Sequence, residues 1–352
     1  MFDWLRFVGI NNPDLSRSDV AVVNHACAGG LPGTERVDNG RIIRTLDDFA
    51  GRVKFTTRNL MPHFERQPGE FHNSIGYFKA LCLVTVLQRD CGIHYNPCKI
   101  AEDAPFGPAD SFLFGLVVSR MGTCANIPLL YAAVGRRLDY PIKLACAKGE
   151  RGNHLFARWD DSKQVRFKME ATDRGLRCPP DEYYRTGRYQ VSSEMERKGG
   201  FLESMTPREE LAFFLAERSC CWKDIGNHRR AAEAMAWASS LAPDNAFYWN
   251  TTKMRLNEWT RALEARKPKG FPEILINSPF RRFPLLDLDV ERYVFGLEAL
   301  ENMLGDADQD RIWWEPMRKG VPLPQVPVQA LVDFNPKGCH IRFRLGAPKK
   351  PI

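Results

Sequence analysis

A cysteine, a histidine and a glutamate stand at spacings that could support nucleophilic catalysis. Cys124 lies in the segment Gly122-Thr123-Cys124-Ala125-Asn126, just before an apolar stretch with helical periodicity. The N–H groups and the dipole at a helix start stabilise an anion, which favours the nucleophilic thiolate over the thiol. The same N–H groups can hold the oxyanion that forms when a thiolate attacks a carbonyl. We therefore predict that Cys124 is a nucleophile and that Gly122 gives a substrate room to approach.

His154 and Glu170 are the groups that such a thiol needs. His154 lies on a predicted strand, where it could remove the thiol proton and later protonate a leaving amine. Glu170 directly follows the next predicted strand, where a carboxylate can accept the imidazole N–H and fix its tautomer. Asp173 is the second candidate for that carboxylate. This constellation predicts thiol-dependent acyl transfer or amide hydrolysis, which needs no metal and no organic cofactor.

The order and spacing of these residues resemble the transglutaminase-like superfamily, which has a papain-type Cys-His-Asp arrangement. The more similar branch is the SirB1-like one, which carries helical tetratricopeptide-type repeats behind the core. The segments that carry the resemblance are residues 120–124, 127–138, 153–156 and 169–172. The resemblance implies that Cys124 is the nucleophile, that His154 is the base and that a carboxylate orients the histidine.

The chain departs from the family pattern at two places. The family usually has Asp in an Asp-Pro-Thr-like segment, whereas this chain has Glu170 followed by Ala171 and Thr172. Glu is one methylene longer but can still orient a histidine. The Trp often found near the histidine is absent, and Trp159 is expected to pack structurally. Because the family includes members without established activity, the alternative is a non-catalytic protein-binding scaffold that retains the fold.

The elements around these residues predict an α+β fold. Helical patterns cover residues 45–55, 74–89, 111–119 and 124–138, and alternating apolar patterns then predict antiparallel strands at 142–147, 154–159 and 165–169. Further helices are predicted at 211–223, 229–241, 245–265 and 287–303, with an edge strand at 340–345. We divide the chain into an N-terminal extension (1–70), a transglutaminase-like core (71–206), a helical region (207–310) and a tail (311–352).

The helical region matches the tetratricopeptide pattern at several positions. Ser219, Trp222, Ala238 and Pro243 fit its small, aromatic, close-packing and turn positions, whereas Arg218 replaces an expected Leu. One or two such repeats do not form a stable solenoid alone. These helices are expected to buttress the core. They also offer a place where a protein or peptide substrate or partner could dock.

Composition excludes several other classes of function. The 352 residues carry 50 Lys and Arg among 43 Asp and Glu without a block of like charge, and no nucleic-acid-binding motif is present. Phosphate-binding loops and Rossmann glycine patterns are also absent. No uncharged run is long enough to span a membrane, and the N-terminus lacks a secretory signal. We therefore expect a cytoplasmic protein that binds neither nucleic acid nor membranes.

The ten cysteines are interpreted as reduced thiols. Several lie in apolar runs and are predicted to be core residues: Cys82, Cys146, Cys220 and Cys221. The spacing of Cys91, His94 and Cys98 resembles half of a zinc site, but no matching second pair is evident. Tyr95, Asn96 and Asn126 are candidate side-chain donors to an oxyanion at Cys124.

Overall fold

The computed structural model describes residues 4–101, 104–149, 152–161, 165–172, 174–186, 189–266 and 301. Some of the predicted features lie outside the described residues. These are Asp173, the edge strand at 340–345, the tail at 311–352 and, apart from Glu301, the helix at 287–303.

The described chain mixes helices with two small sheets. The helices before the larger sheet are α1 (Leu5–Val8), α2 (Asn12–Leu15), α3 (Val20–Ala28), α4 (Asn39–Arg66), α5 (Ile75–Thr85), α6 (Pro108–Ser111), α7 (Leu113–Ser119) and α8 (Ile127–Arg136). Those after it are α9 (Glu182–Arg185), α10 (Ser193–Gly199), α11 (Pro207–Asp224), α12 (His228–Leu241) and α13 (Ala246–Glu264). The strands are β1 (His94–Tyr95), β2 (Met121–Gly122), β3 (Ile142–Gly149), β4 (Gly152–Asp160) and β5 (Arg166–Met169).

The larger sheet is an antiparallel meander in the order β3-β4-β5. Its register pairs Ala147 with His154 and Ala157 with Met169. Helix α8 packs against β3 and β4, and its residues are almost all buried. The predicted succession of a helix and three antiparallel strands is therefore present, and the chain is confirmed as a mixed α and β protein in that coarse sense.

The first half of the chain is more helical than its sequence pattern predicts. Helix α4 extends over Asn39–Arg66, so the short helix predicted at 45–55 was wrong at both ends. The cap is Asp38, whose carboxylate accepts from the Arg41 N–H. Thr45, where the predicted helix began, lies inside the helix and donates its hydroxyl to the Arg41 carbonyl.

The predicted helix at 111–119 is interrupted. Phe112 has an extended backbone conformation, which separates α6 from α7. The Phe112 carbonyl accepts from the Gly115 N–H and also from the site described below.

The three helices α11, α12 and α13 pack in succession, close to the predicted bounds. A buried hydrogen bond of 2.6 Å between the hydroxyls of Ser239 and Thr252 joins α12 to α13. Arg218 replaces a packing residue for a physical reason. Its buried guanidinium donates to the carbonyls of Cys27 and Gly29 at 2.7 and 2.6 Å, and so stabilises the C-terminal end of α3.

One cluster of buried hydrophobic side chains extends from Trp4 to Leu263. Trp4 contacts Trp237 edge-to-face at 5.9 Å between ring centroids, so the N-terminal extension packs directly on α12. Within the described part of the chain, no helix has both the length and the apolar character needed to cross a membrane.

The predicted burial of the cysteines is confirmed for Cys82, Cys146 and Cys221. It was wrong for Cys220, whose side chain is exposed. Cys220 and Cys221 are adjacent on α11, so their side chains leave the helix in different directions, and only that of Cys221 faces the core.

Candidate active site

A capped turn presents Cys124 ahead of α8. The helix begins at Ile127, not at Cys124 as predicted. The turn nevertheless winds from Thr123, whose carbonyl accepts from the Ile127 N–H at 3.1 Å and whose hydroxyl accepts from the Ala125 N–H at 3.1 Å. Asn126 completes the cap, because its Oδ1 accepts from the Thr123 N–H at 2.8 Å. The half-buried Cys124 thus occupies the first position of a capped turn that leads into α8.

The turn is anchored to the segment between α6 and α7. The amide nitrogen of Asn126 donates to the carbonyls of Ala109 and Phe112 at 3.2 and 3.3 Å, and the Thr123 hydroxyl donates to the Asp110 carbonyl at 2.7 Å. Asn126 is fully buried, and these bonds use both of its amide hydrogens. The prediction that Asn126 could donate to an oxyanion was therefore wrong. Asn126 instead holds the turn that carries Cys124.

Gly122 is required by packing, not by an approaching substrate. A Cβ atom built there would lie 2.4 Å from Cγ1 of Ile127 and 2.6 Å from Cδ1 of Leu116, both inside the protein. The Gly122 carbonyl accepts from the Asn96 N–H at 2.8 Å, which extends the short parallel pairing of β1 with β2. The expectation that Gly122 gives a substrate room to approach was therefore wrong, although this glycine does determine where the next residues lie.

His154 stands between the thiol and a carboxylate. It lies on β4 and is only 4% exposed. Its Nε2 is 2.9 Å from Oε2 of Glu170, and its ring is near enough to Cys124 for that side chain to raise the pKa of His154. Since Nε2 faces Glu170, Nδ1 is the ring nitrogen left for the thiol. The structure thus brings the three predicted residues Cys124, His154 and Glu170 together.

Glu170 follows the last residue of β5, and its carboxylate is surrounded by donors. Oε2 accepts from His154 and from the Tyr184 hydroxyl, the latter at 2.8 Å. Oε1 accepts from the Ala171 N–H at 2.9 Å and from the N–H and hydroxyl of Thr172 at 3.2 and 3.1 Å. The Glu170 side chain is fully buried, and each of these hydrogen bonds favours its ionised form.

The two partners hold each other in their charged forms. Burial by itself lowers the pKa of His154, but hydrogen bonds to Cys124 and Glu170 together with the charge of Glu170 outweigh it and raise the pKa to about 9. Burial would raise the pKa of Glu170, yet the bond to His154, its charge and the other donors lower it to about 2. At neutral pH His154 is therefore an imidazolium and Glu170 a carboxylate.

Aromatic side chains that carry no sequence signal enclose the pair. The ring of Tyr189 lies 4.7 Å from that of His154, and Tyr184 contacts Glu170 from the segment after β5. Neither tyrosine belongs to a periodic pattern or a motif, so their proximity depends on the path of the loop. Trp159 stacks on Phe167 at 5.9 Å between centroids, which confirms the prediction that it packs structurally.

The metal-like spacing does not form a centre. His94 is exposed, and its Nδ1 lies 2.9 Å from the Gly92 carbonyl. Cys98 is exposed as well. Among residues 4–266, within the ranges given above, no group of three or more His, Cys, Asp or Glu side chains is placed to hold a metal ion.

Comparisons with known proteins leave the function to be inferred from the site. No protein-family model matches the chain. No curated protein matches it either.

Proposed function

We propose that this protein is a thiol-dependent acyl-transfer or amide-hydrolysing enzyme with Cys124, His154 and Glu170 as its catalytic triad. The proposal includes a transglutaminase-like arrangement of the helix, the turn and the strands that carry these residues. The observation that carries it is the position of His154, with one nitrogen 2.9 Å from a buried carboxylate and the other left for a half-buried thiol.

The charge distribution suits nucleophilic attack. An imidazolium beside a thiol stabilises the thiolate, which is the reactive form. The Cys124 thiolate would attack a carboxamide carbon, so that a C–S bond forms and the carbonyl π electrons move to oxygen. The backbone N–H of Cys124 would contribute to the site for that oxyanion.

Collapse of the tetrahedral intermediate would release an amine. The C–N bond breaks, and Nδ1–H of His154 protonates the departing nitrogen, which leaves a thioester on Cys124. Water or an amine then gives a proton to neutral His154 and attacks the thioester. The C–S bond breaks, and the thiolate and the imidazolium are regenerated. Glu170 holds the imidazole by Nε2 throughout.

The chemistry needs no metal and no organic cofactor. A protein or peptide amide is the substrate class we favour, and the helices α11 to α13 offer a surface for such a molecule beyond the site. The competing function is a scaffold that keeps the arrangement without catalysing a reaction. The enzyme and the scaffold differ in whether the Cys124 thiol is activated.

The test is the pH dependence of alkylation by iodoacetamide, with each cysteine mapped by mass spectrometry. We expect Cys124 to react fastest of the ten cysteines below about pH 7, whereas an ordinary thiol ionises near pH 8.5. The His154→Ala variant should lose this advantage. The exposed Cys98 is the internal reference for reagent access, and His94→Ala is the matched control.

A Cys124 that reacts no faster than Cys98, or whose rate is the same without His154, would remove the enzyme proposal and favour the scaffold. Circular dichroism of His154→Ala is needed alongside, because an unfolded variant would expose every thiol to the reagent.

A further inference from the structure

The Tyr184 hydroxyl shares an oxygen with the histidine. Tyr184 lies on the short helix α9 and is fully buried. Its hydroxyl donates to Oε2 of Glu170 at 2.8 Å, and His154 approaches the same oxygen at 2.9 Å. Two donors of almost equal distance therefore converge on one carboxylate oxygen.

Packing fixes where this hydroxyl lies. The ring of Tyr184 stacks on Phe156 with 4.8 Å between centroids and 19° between planes, and it meets Tyr189 at 5.2 Å. Its backbone carbonyl accepts from the Val191 N–H at 2.9 Å. Because packing fixes the ring and a hydrogen bond fixes the backbone, the position of the hydroxyl does not depend on its own hydrogen bond to Glu170.

We propose that Tyr184 is a positioning residue of the site that acts through Glu170: its hydroxyl takes up part of the charge on the same Oε2 that faces His154. The carboxylate then attracts the imidazole proton less strongly than an oxygen with a single donor would. A catalytic meaning for this role rests on the function proposed above, but the effect on the His154 and Glu170 pair does not.

The hydroxyl remains a donor over the whole working range. Burial and the charge of Glu170 raise the pKa of Tyr184 far above its ordinary value. Lys168 lies 5.5 Å over the Tyr184 ring and forms an ion pair with Asp181. The charged and titratable groups that bear on the pair from the other packed elements are Cys124, Tyr131 and Tyr189.

The test is an NMR titration of the His154 ring in the full chain, compared with Tyr184→Phe. The substitution keeps the stacked ring and removes one charge-assisted hydrogen bond from Oε2. More negative charge then faces His154, so we expect the pKa of His154 to rise by about half a unit to one unit. A residue that only fills space would leave this pKa unchanged.

The neighbouring Tyr183 provides the matched control. Its ring contacts that of Tyr184 at 5.0 Å and packs under the guanidinium of Arg177. Tyr183→Phe should leave the pKa of His154 unchanged within about 0.2 unit. Should Tyr184→Phe not fold, 3-fluorotyrosine introduced at position 184 gives the opposite sign, because a more acidic hydroxyl is a stronger donor and lowers the pKa of His154.

The outcomes separate this inference from the proposed function. If the pKa of His154 stays the same or falls in Tyr184→Phe while Cys124 is activated in the wild type, Tyr184 has no positioning role and the enzyme proposal stands. If the pKa of His154 rises while Cys124 reacts as an ordinary thiol, the role of Tyr184 is supported and the enzyme proposal fails.

Discussion

Replacing Glu170 with glutamine preserves the size of the side chain but exchanges one acceptor oxygen for an NH2 donor. In the wild type, both carboxylate oxygens of Glu170 act only as acceptors, and each is met by protein donors. A glutamine must therefore point its NH2 at donors in either orientation. The backbone N–H groups of Ala171 and Thr172 cannot reverse their role, whereas the Tyr184 hydroxyl can rotate and accept. The amide oxygen will thus face the backbone, and the NH2 will face His154.

That orientation changes the tautomer of the histidine. To accept from the glutamine NH2, Nε2 of His154 must be unprotonated, so the ring proton moves to Nδ1 on the side of Cys124. A neutral His154 with its proton on Nδ1 cannot accept the thiol proton there. The burial that lowers the pKa of His154 is then no longer opposed by a carboxylate. The variant should contain a neutral, wrongly oriented imidazole beside a neutral thiol.

The cost in stability follows from the carboxylate. The pKa of Glu170 lies at about 2 rather than its ordinary 4.5. At about 1.4 kcal/mol for each pKa unit, this difference stabilises the folded protein by about 3 kcal/mol. Because the pKa of Glu170 is lowered by folding, its contribution is complete above 4.5 and is lost as the pH falls through about 2. Because that of His154 is raised, its contribution is complete below 6.5 and is lost as the pH rises through about 9.

Urea unfolding at several pH values tests this prediction. Near pH 5.5, where both contributions are complete, Glu170→Gln should lower the free energy of unfolding by about 3 kcal/mol. The difference should shrink toward pH 2 and also above pH 9. Alkylation of Cys124 near pH 6.5 should slow to the rate of the exposed Cys98.

The matched control is Glu203→Gln. Glu203 also pairs with a cation on the sheet, Arg166 at 2.9 Å, but it is 67% exposed. An exposed ion pair contributes at most about 1 kcal/mol, so this variant should be nearly neutral. If Glu170→Gln is no more destabilising than the control, or if its effect is the same at every pH, the buried ion pair that we describe does not exist.

Two further substitutions, each with a control, test the buried contacts that support the fold around the site and at the end of α3. Gly122→Ala should lower the free energy of unfolding by about 1 to 3 kcal/mol and slow alkylation of Cys124, because the new methyl group overlaps buried side chains. Gly51→Ala, in open space on α4, should instead stabilise the protein by up to about 1 kcal/mol in the same urea assay. Arg218→Met should cost about 2 to 3 kcal/mol, because a buried and a part-buried carbonyl at the end of α3 lose their donor. Arg17→Met, at an exposed ion pair, should change little, and an equal loss in both arginine variants would contradict this account of Arg218.

Much of the local structure could be predicted from the sequence because local interactions determine it. The strands β3, β4 and β5 alternate apolar residues with a period of two, and short turns separate them. The helices α11 to α13 begin at strong caps, such as Thr206 with Glu209, whose capping box depends on residues three positions apart. The same local reasoning placed His154 on a strand and Glu170 at the end of the next.

Interactions distant in sequence decided the features that were mispredicted. Arg218 donates to a carbonyl 191 residues away, and the Asn126 amide donates to a carbonyl 17 residues earlier, so neither role is visible in a local pattern. Gly122 could be read as room for a substrate until its neighbours were known to be buried side chains. Tyr184 belongs to no motif at all.

The sequence by itself determined which residues have the chemistry of a thiol nucleophile, a base and an orienting acid, and which elements carry them. Only the tertiary structure decided that a fully buried Glu170 accepts from His154, Tyr184 and Thr172 together. The physical reason is that side-chain type and spacing are properties of the chain. The charge state of a buried group instead depends on the hydrogen-bond donors that folding places around it and on the water that folding removes.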